Sequence, residues 1–245
     1  MSVTLNPHIA IRYEKAIHRD LLVAYTQKTT SKNELISEWE KVINGNSGEP
    51  EVQKFLERHP YMLPGLYDYQ NGPRRGVIVS QLPLTTDYKT DFAFVTLNSM
   101  MLQFTFIEIE DPAKQVFNED LSFTQSFNKA LQQVRDWKRW AEGNIPVLLN
   151  MYADLFENYN VQNDHKSVRC YLVCGRRDKI QWPQLAKERW SSLQSASSPD
   201  IIIMTYNRLS AGVAILPTDQ IRHDLAVCTY RERGFFFKAE VLQDI

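Results

Sequence analysis

The sequence predicts an α/β fold in which a mixed sheet is flanked by helices, and three observations carry that expectation. Two helical stripes near the start give way to apolar strand runs. Residues 90–112 then hold two segments of strict period-two alternation around a short break. A long amphipathic stretch follows, and shorter apolar runs at 145–151, 168–174 and 201–205 close the pattern.

Residues 1–30 alternate weakly, and Asn6–Leu22 reads as a strand followed by a short helix. Ser31 has Glu34 three residues on, the spacing of a capping box. Leu35, Ile36, Trp39 and Val42 form the stripe of the first helix, which Asn44–Gly48 breaks. Pro50 suits the first turn of a second helix, with Val52, Phe55, Leu56 and His59 on its apolar side. Pro60 ends it, because a residue before proline avoids the helical region. Residues 61–76, rich in Pro and Gly, read as loop, and Val77–Leu84 predicts a strand ending at Pro83. The alternating pair predicts two strands turning at Asn98–Met101.

After Asp111-Pro112, residues 113–122 read as a polar, mobile connection. Phe127, Ala130, Leu131, Val134 and Trp137 predict a helix over Ser122–Glu142, with Gly143 as its stop. Ile145–Met151, Val168–Cys174 and Ile201–Thr205 predict buried strands. Gln184–Leu193 predicts a helix, and another starts at Tyr206–Leu209. Phe235–Phe237 with Val241-Leu242 forms a last strand or a packed tail. The expected division is an N-terminal helical or extended segment over 1–45 and one domain over 46–245.

Composition narrows the class. In 245 residues, 43% are apolar and 23% charged, which is ordinary for a globular protein. The apolar runs are too short for a membrane span, and the first residues lack the apolar core of a secretory signal. Cys170, Cys174 and Cys228 are too few for a disulfide framework and fit a reducing, cytoplasmic setting. Cys170 and Cys174 share a strand face and read as core thiols, since zinc needs further ligands nearby. A net charge of −1 does not favour a nucleic-acid binder as a whole, although local patches decide such binding. The histidines lack ligand spacing, and no glycine-rich phosphate loop or nucleophile elbow occurs. Dehydrogenase, kinase and serine-hydrolase readings therefore lose their usual signatures.

Three constellations remain. In the second alternating segment Leu102, Phe104, Phe106, Glu108 and Glu110 share a face, so an apolar face runs into two carboxylates. The symmetric turn puts Asp91 opposite Glu108, where like charges repel. A divalent cation would relieve this, and Mg²⁺ or Mn²⁺ suits hard oxygen ligands. The alternative is a solvated Glu110 and an Asp91 that caps its turn. Second, Gln133 and Trp137 are four apart on the long helix and share a face, either as site residues or as a helix edge. Third, Arg135, Lys138 and Arg139, then Arg176, Arg177 and Lys179, then Arg74 and Arg75, form basic groups that suit phosphate or solvent.

In order, EPEVQKFLERHPYMLPG, KTDFAFV, FIEIEDP, ALQQVRDW, YLVCGRR and IIIMTYNRL resemble the Shedu-type antiphage nuclease domain, over roughly residues 48–210. That family is placed in the PD-(D/E)XK endonuclease superfamily, so the resemblance implies a restriction-endonuclease-like core. It implies a DNA endonuclease using Mg²⁺ or Mn²⁺, acting on phage or other foreign DNA, and a homo-oligomer. Asp91 and Glu108, with the Ile109 carbonyl, would be metal ligands, and Gln133 would assist. Trp137 would occupy an aromatic position and Glu51 an acidic position near the metal. Arg139, Arg176 and Arg177 would hold phosphates. One departure stands out: Glu110 occupies the place of the family's lysine and would act as the base, while Lys89 and Lys114 lie nearby off that strand position. The same departure suits a catalytically inactive subunit that binds DNA or protein.

Overall fold

The computed structural model describes residues 29–45, 48–66, 72–98, 100–156, 160–161, 164–180, 182–197, 199–216, 219–222, 225–231 and 234–237. The expected elements within 1–28 and at Val241-Leu242 lie outside them.

The strands are β1 (Thr29–Ser31), β2 (Val77–Ser80), β3 (Phe92–Asn98), β4 (Met101–Ile109), β5 (His165–Val173), β6 (Ile201–Met204), β7 (Gln220–Arg222), β8 (Ala226–Arg231) and β9 (Gly234–Phe237). The helices are α1 (Lys32–Asn44), α2 (Gly48–Arg58), α3 (Gln125–Gly143), α4 (Ile145–Met151), α5 (Gln184–Ser197) and α6 (Asn207–Ala214). The main sheet has seven strands in the order β6-β5-β4-β3-β2-β8-β9, and β1 pairs with β7 in a second, small sheet. β4, β5 and β6 run parallel, while β2, β3 and β4 are antiparallel neighbours, so the sheet is mixed as expected.

Both faces of the central strands are covered. Ala93, Val95, Leu102, Phe104 and Phe106 pack under Phe127, Leu131, Val134 and Trp137 of α3. Phe92, Phe94, Ile107 and Ile109 pack against Leu35 and Trp39 of α1, Phe55 and Leu56 of α2, and Leu209 of α6. This is the alternation read from the sequence, now filled by two helical layers. Phe92 faces Ile107 and Asn98 faces Met101, which is the expected register of the β3–β4 hairpin. Among the described residues, no helix is long and apolar enough to cross a membrane.

Several local expectations give way. Ile145–Met151 is a helix, not a strand. Pro146 occupies the first turn, where its missing N–H costs nothing. Leu148 and Met151, three apart, are buried while Val147 is exposed, a spacing that only a helix satisfies. β2 stops at Ser80 because Gln81 takes φ +54, and Leu82 and Leu84 are buried by a separate turn closed by Leu84 N–H to the Tyr88 carbonyl at 2.8 Å. Ser31 precedes α1 without a side-chain capping bond. It belongs to β1 instead, and the Lys32 N–H donates to the Asp219 carbonyl at 2.9 Å. The long helix starts at Gln125, later than expected, because Thr124 takes the cap and accepts from the Phe127 N–H. The 113–122 connection is tied down by Asn118 N–H to the Ser122 carbonyl at 2.8 Å and by stacked Phe117 and Phe123 rings. β8, between β2 and β9, had no clear sequence signal.

Trp39 is fully buried and contacts the rings of Phe55 and Tyr206, so it joins α1 to α2 and to the start of α6. Trp39→Ala should cost about 3–5 kcal/mol in urea unfolding. A loss below about 1 kcal/mol would show that α1 is not integral to this core.

Candidate functional site

The site forms where the central strands leave the apolar layer under α3. Asp91 directly precedes β3, and its N–H donates to the Ile107 carbonyl at 3.2 Å. The hairpin register therefore continues one step beyond the strand and sets Asp91 across from Glu108. Asp91 Oδ2 accepts the Ile109 N–H at 2.8 Å. Its carbonyl accepts from Gln81 N–H at 2.8 Å and from Gln53 Nε2, on α2, at 3.3 Å. Gln53 also donates to Glu57 and to Ser80, forming a buried polar knot beneath the site.

Glu108 is only 8% exposed, and its Oε1 accepts Gln133 Nε2 from α3 at 2.9 Å. The Asp91 and Glu108 carboxyls face each other closely enough that each disturbs the other's ionisation. Burial first, then mutual repulsion, pushes the Glu108 carboxyl far above its ordinary range. Burial raises Asp91 as well, against the Ile109 N–H that favours its charge.

Glu110 ends the same face. Its side chain pairs with Lys114, its N–H donates to the Val173 carbonyl at 3.0 Å, and its own carbonyl accepts the buried Tyr206 hydroxyl. Burial pushes the Tyr206 hydroxyl well above its usual range, so it stays a donor. Glu49, in the first turn of α2, is raised by burial and then by Glu110. Four carboxylates, two from α2 and β4 and two from the segments flanking β3 and β4, thus feel one another.

The other expected residues lie as follows. Glu51 is exposed and pairs with Lys54 at 3.0 Å, so Glu49 is the α2 carboxylate that faces the site. Trp137 is fully buried in the core under α3. Arg176 is 6% exposed, with its guanidinium on Asp178 and on the Ile43 carbonyl at 2.9 Å; it fastens α1 to the turn after β5 and offers no free fork to a phosphate. Arg177 is exposed on that turn, and Arg139 is exposed and pairs with Asp136 at 3.3 Å. A cleft of about 460 Å³ opens beside Gln133, lined by Tyr88, Lys89, Lys129 and Gln132 among others. Glu49, Tyr206 and Gln53 were missed in the sequence. Helical phase shows which helix face is buried, but not which first-turn residue meets a distant strand end.

Among the described residues, no group of three or more His, Cys, Asp or Glu converges as a ready metal cluster. The donor set nonetheless fits a hard cation. Asp91 and Glu108 offer opposed carboxylate oxygens whose mutual repulsion a bound divalent cation would relieve. Mg²⁺ is commonly held by one or two carboxylates, with water and phosphate completing its shell.

Fold and site together define a three-layered α/β protein with a buried carboxylate centre at the end of its central strands. The family model described as Shedu protein SduA, C-terminal, matches residues 46–210, and the chain belongs to this family. Membership points to a role in antiphage defence. No curated protein matches the chain.

The raised Asp91–Glu108 pair has a consequence for stability. A carboxyl whose folded pKa lies above its unfolded value stabilises fully below the unfolded pKa, and that contribution is lost as pH rises through the folded one. In chelator, wild-type stability should therefore fall as pH rises above about 4. Glu108→Gln, a permanent stand-in for the protonated acid, should be more stable than wild type at neutral pH by at least about 1 kcal/mol. The difference should vanish under acid. Equal urea midpoints at pH 4 and pH 7 in both proteins would contradict it.

Proposed function

We propose that this protein is a metal-dependent DNA endonuclease serving antiphage defence, with a PD-(D/E)XK-type core. The observation that carries the reading is the Asp91–Glu108 pair at a strand end, half-buried at Asp91, buried at Glu108 and braced there by Gln133. Asp91, Glu108 and the Ile109 carbonyl would hold Mg²⁺ or Mn²⁺, which when bound supplies a Lewis acid for the phosphodiester.

The chain's own groups do the rest. Glu110 orients the attacking water and takes its proton as the water oxygen approaches phosphorus. Gln133 keeps the Glu108 carboxyl turned into the site through its Nε2 donor. Tyr206 fixes the Glu110 backbone, so the carboxylate starts from a set position. Arg139 and Arg177, both exposed, hold flanking phosphates through guanidinium forks. Arg176 supports the turn that carries Arg177. The fitting substrate is phage or other foreign DNA in the cytoplasm. Cutting both strands from single sites calls for two copies or two successive events, and a homo-oligomer supplies the first.

A second reading, a nuclease-like subunit that binds DNA or protein without cutting, is favoured by the engagement of Glu110 by Lys114. Plasmid nicking separates the two. Purified protein with Mg²⁺ or Mn²⁺ should convert supercoiled DNA to open or linear forms. Asp91→Ala and Glu108→Ala should each lower the rate by more than about 100-fold with the fold intact by circular dichroism. Binding without cutting, whichever divalent cation is added, sinks the endonuclease reading in favour of the second.

A further inference from the structure

Four carboxylates surround the strand ends: Glu49, Asp91, Glu108 and Glu110. One divalent cation leaves such a set negative, and a phosphodiester brings more negative charge. Hydrolysis adds still more at the non-bridging oxygens, so the site needs a cation of its own. Several basic side chains are committed elsewhere, and Lys89 and Lys129 line the cleft beside Gln133. Arg176 is buried on Asp178, Lys138 pairs with Glu142 and Asp200, and Lys54 pairs with Glu51 away from the site.

Lys114 is placed differently. The turn after β4 doubles back: Asp111 Oδ1 accepts the Ala113 N–H at 2.8 Å, and the Asp111 carbonyl accepts the Lys114 N–H at 3.0 Å. Two residues on, Val116 packs where a Cβ on Gly175 would lie 2.6 Å from it; Gly175 takes φ +62, so this close approach of the connection to the end of β5 depends on glycine. The turn brings the Lys114 ammonium onto the Glu110 carboxylate. The Lys114 side chain is 45% exposed and Glu110 only 14%, so the ammonium is the outer partner and the one an arriving polyanion meets first. Glu110, Glu49 and Asp111 all favour its charged form.

We infer that Lys114 is a catalytic cation of this site: its ammonium leaves or shares Glu110 to hold a non-bridging oxygen of the scissile DNA phosphate. The inference rests on the phosphodiesterase reading above. In the step, the water oxygen bonds to phosphorus as the bond from phosphorus to the leaving sugar oxygen breaks. Glu110, relieved of its ion pair, takes the water proton, and the leaving oxygen is protonated by solvent. Lys114 keeps its protons throughout. Lys114 belongs to neither buried core, so its loss should leave the protein folded.

The test combines nicking with Mg²⁺ and duplex binding with Ca²⁺ across a salt series. Lys114→Ala should lower the nicking rate about 100-fold, and Lys114→Arg, which keeps the charge, should stay within about tenfold of wild type. Lys114→Ala should also reduce the slope of log affinity against log salt by about one, the signature of one lost phosphate contact. Melting temperatures of both variants should match wild type. Nicking by Lys114→Ala within about threefold of a nicking wild type overturns the inference. If the wild type does not cut DNA, whichever divalent cation is added, the endonuclease reading fails and the salt slope alone judges Lys114. A drop of about one then upholds its phosphate contact, and an unchanged slope overturns it.

Discussion

The architecture turns on one opposition, Asp91 against Glu108 across the β3–β4 hairpin. Seven consecutive residue pairs fix this register, and the two faces of both strands enter different cores. A slip of one residue would send Phe104 and Phe106 out of the layer under α3 and Glu108 into the layer under α1. The packing that rejects that slip is therefore what holds two carboxylates together against their repulsion. Asp91 is pinned further at three backbone or side-chain points, by the Ile109 N–H, the Gln81 N–H and Gln53.

The two layers divide the work of the site. The α3 face carries side chains into it: Gln133 reaches Glu108 one helical turn before Trp137 is buried beneath. The opposite face holds the backbone. Gln53 of α2 donates to the Asp91 carbonyl, and Tyr206 at the start of α6 donates to the Glu110 carbonyl. Carboxylates tolerate small angular errors poorly when they must share one proton or one cation, so bracing from both sides limits their freedom. Trp39 lies against Tyr206, which links the packing of α1 to the position of Glu110.

What the sequence disclosed follows from how local each signal is. Period-two alternation and a short turn suffice to place Asp91, Glu108 and Glu110 on one face, because strand geometry and hairpin symmetry leave little choice. Helical spacing likewise gives Gln133 and Trp137 a common face. Ile145–Met151 misleads because a short apolar run suits a buried strand or a helix alike, and only the tertiary contacts of Leu148 and Met151 decide. Glu49 and Glu51 are nearly indistinguishable in sequence; the left-handed Gly48 at the start of α2 and the path of the chain past Asp111 select Glu49. Arg176 and Arg177 are adjacent and chemically identical, yet one is a buried fastener and the other lies in solvent. Long-range contacts, of which sequence carries no local trace, set those outcomes.

The placement of the acids also weighs against a purely structural account of them. Buried like charges lower stability, and replacing buried charged groups by apolar ones is often neutral or favourable. The apolar run Leu102, Phe104, Phe106 shows what this face does when only packing is asked of it. The change to Glu108 and Glu110 comes where β4 reaches the end of the sheet, beside the α2 N-terminus and the Gln133 face of α3. There a proton, a cation or a cationic side chain can reach the acids from solvent, while the strands hold them too rigidly to separate. A fold that keeps its least favourable charges in its best-braced position gains nothing in stability from them, whereas an incoming cation or phosphate would find them already arranged.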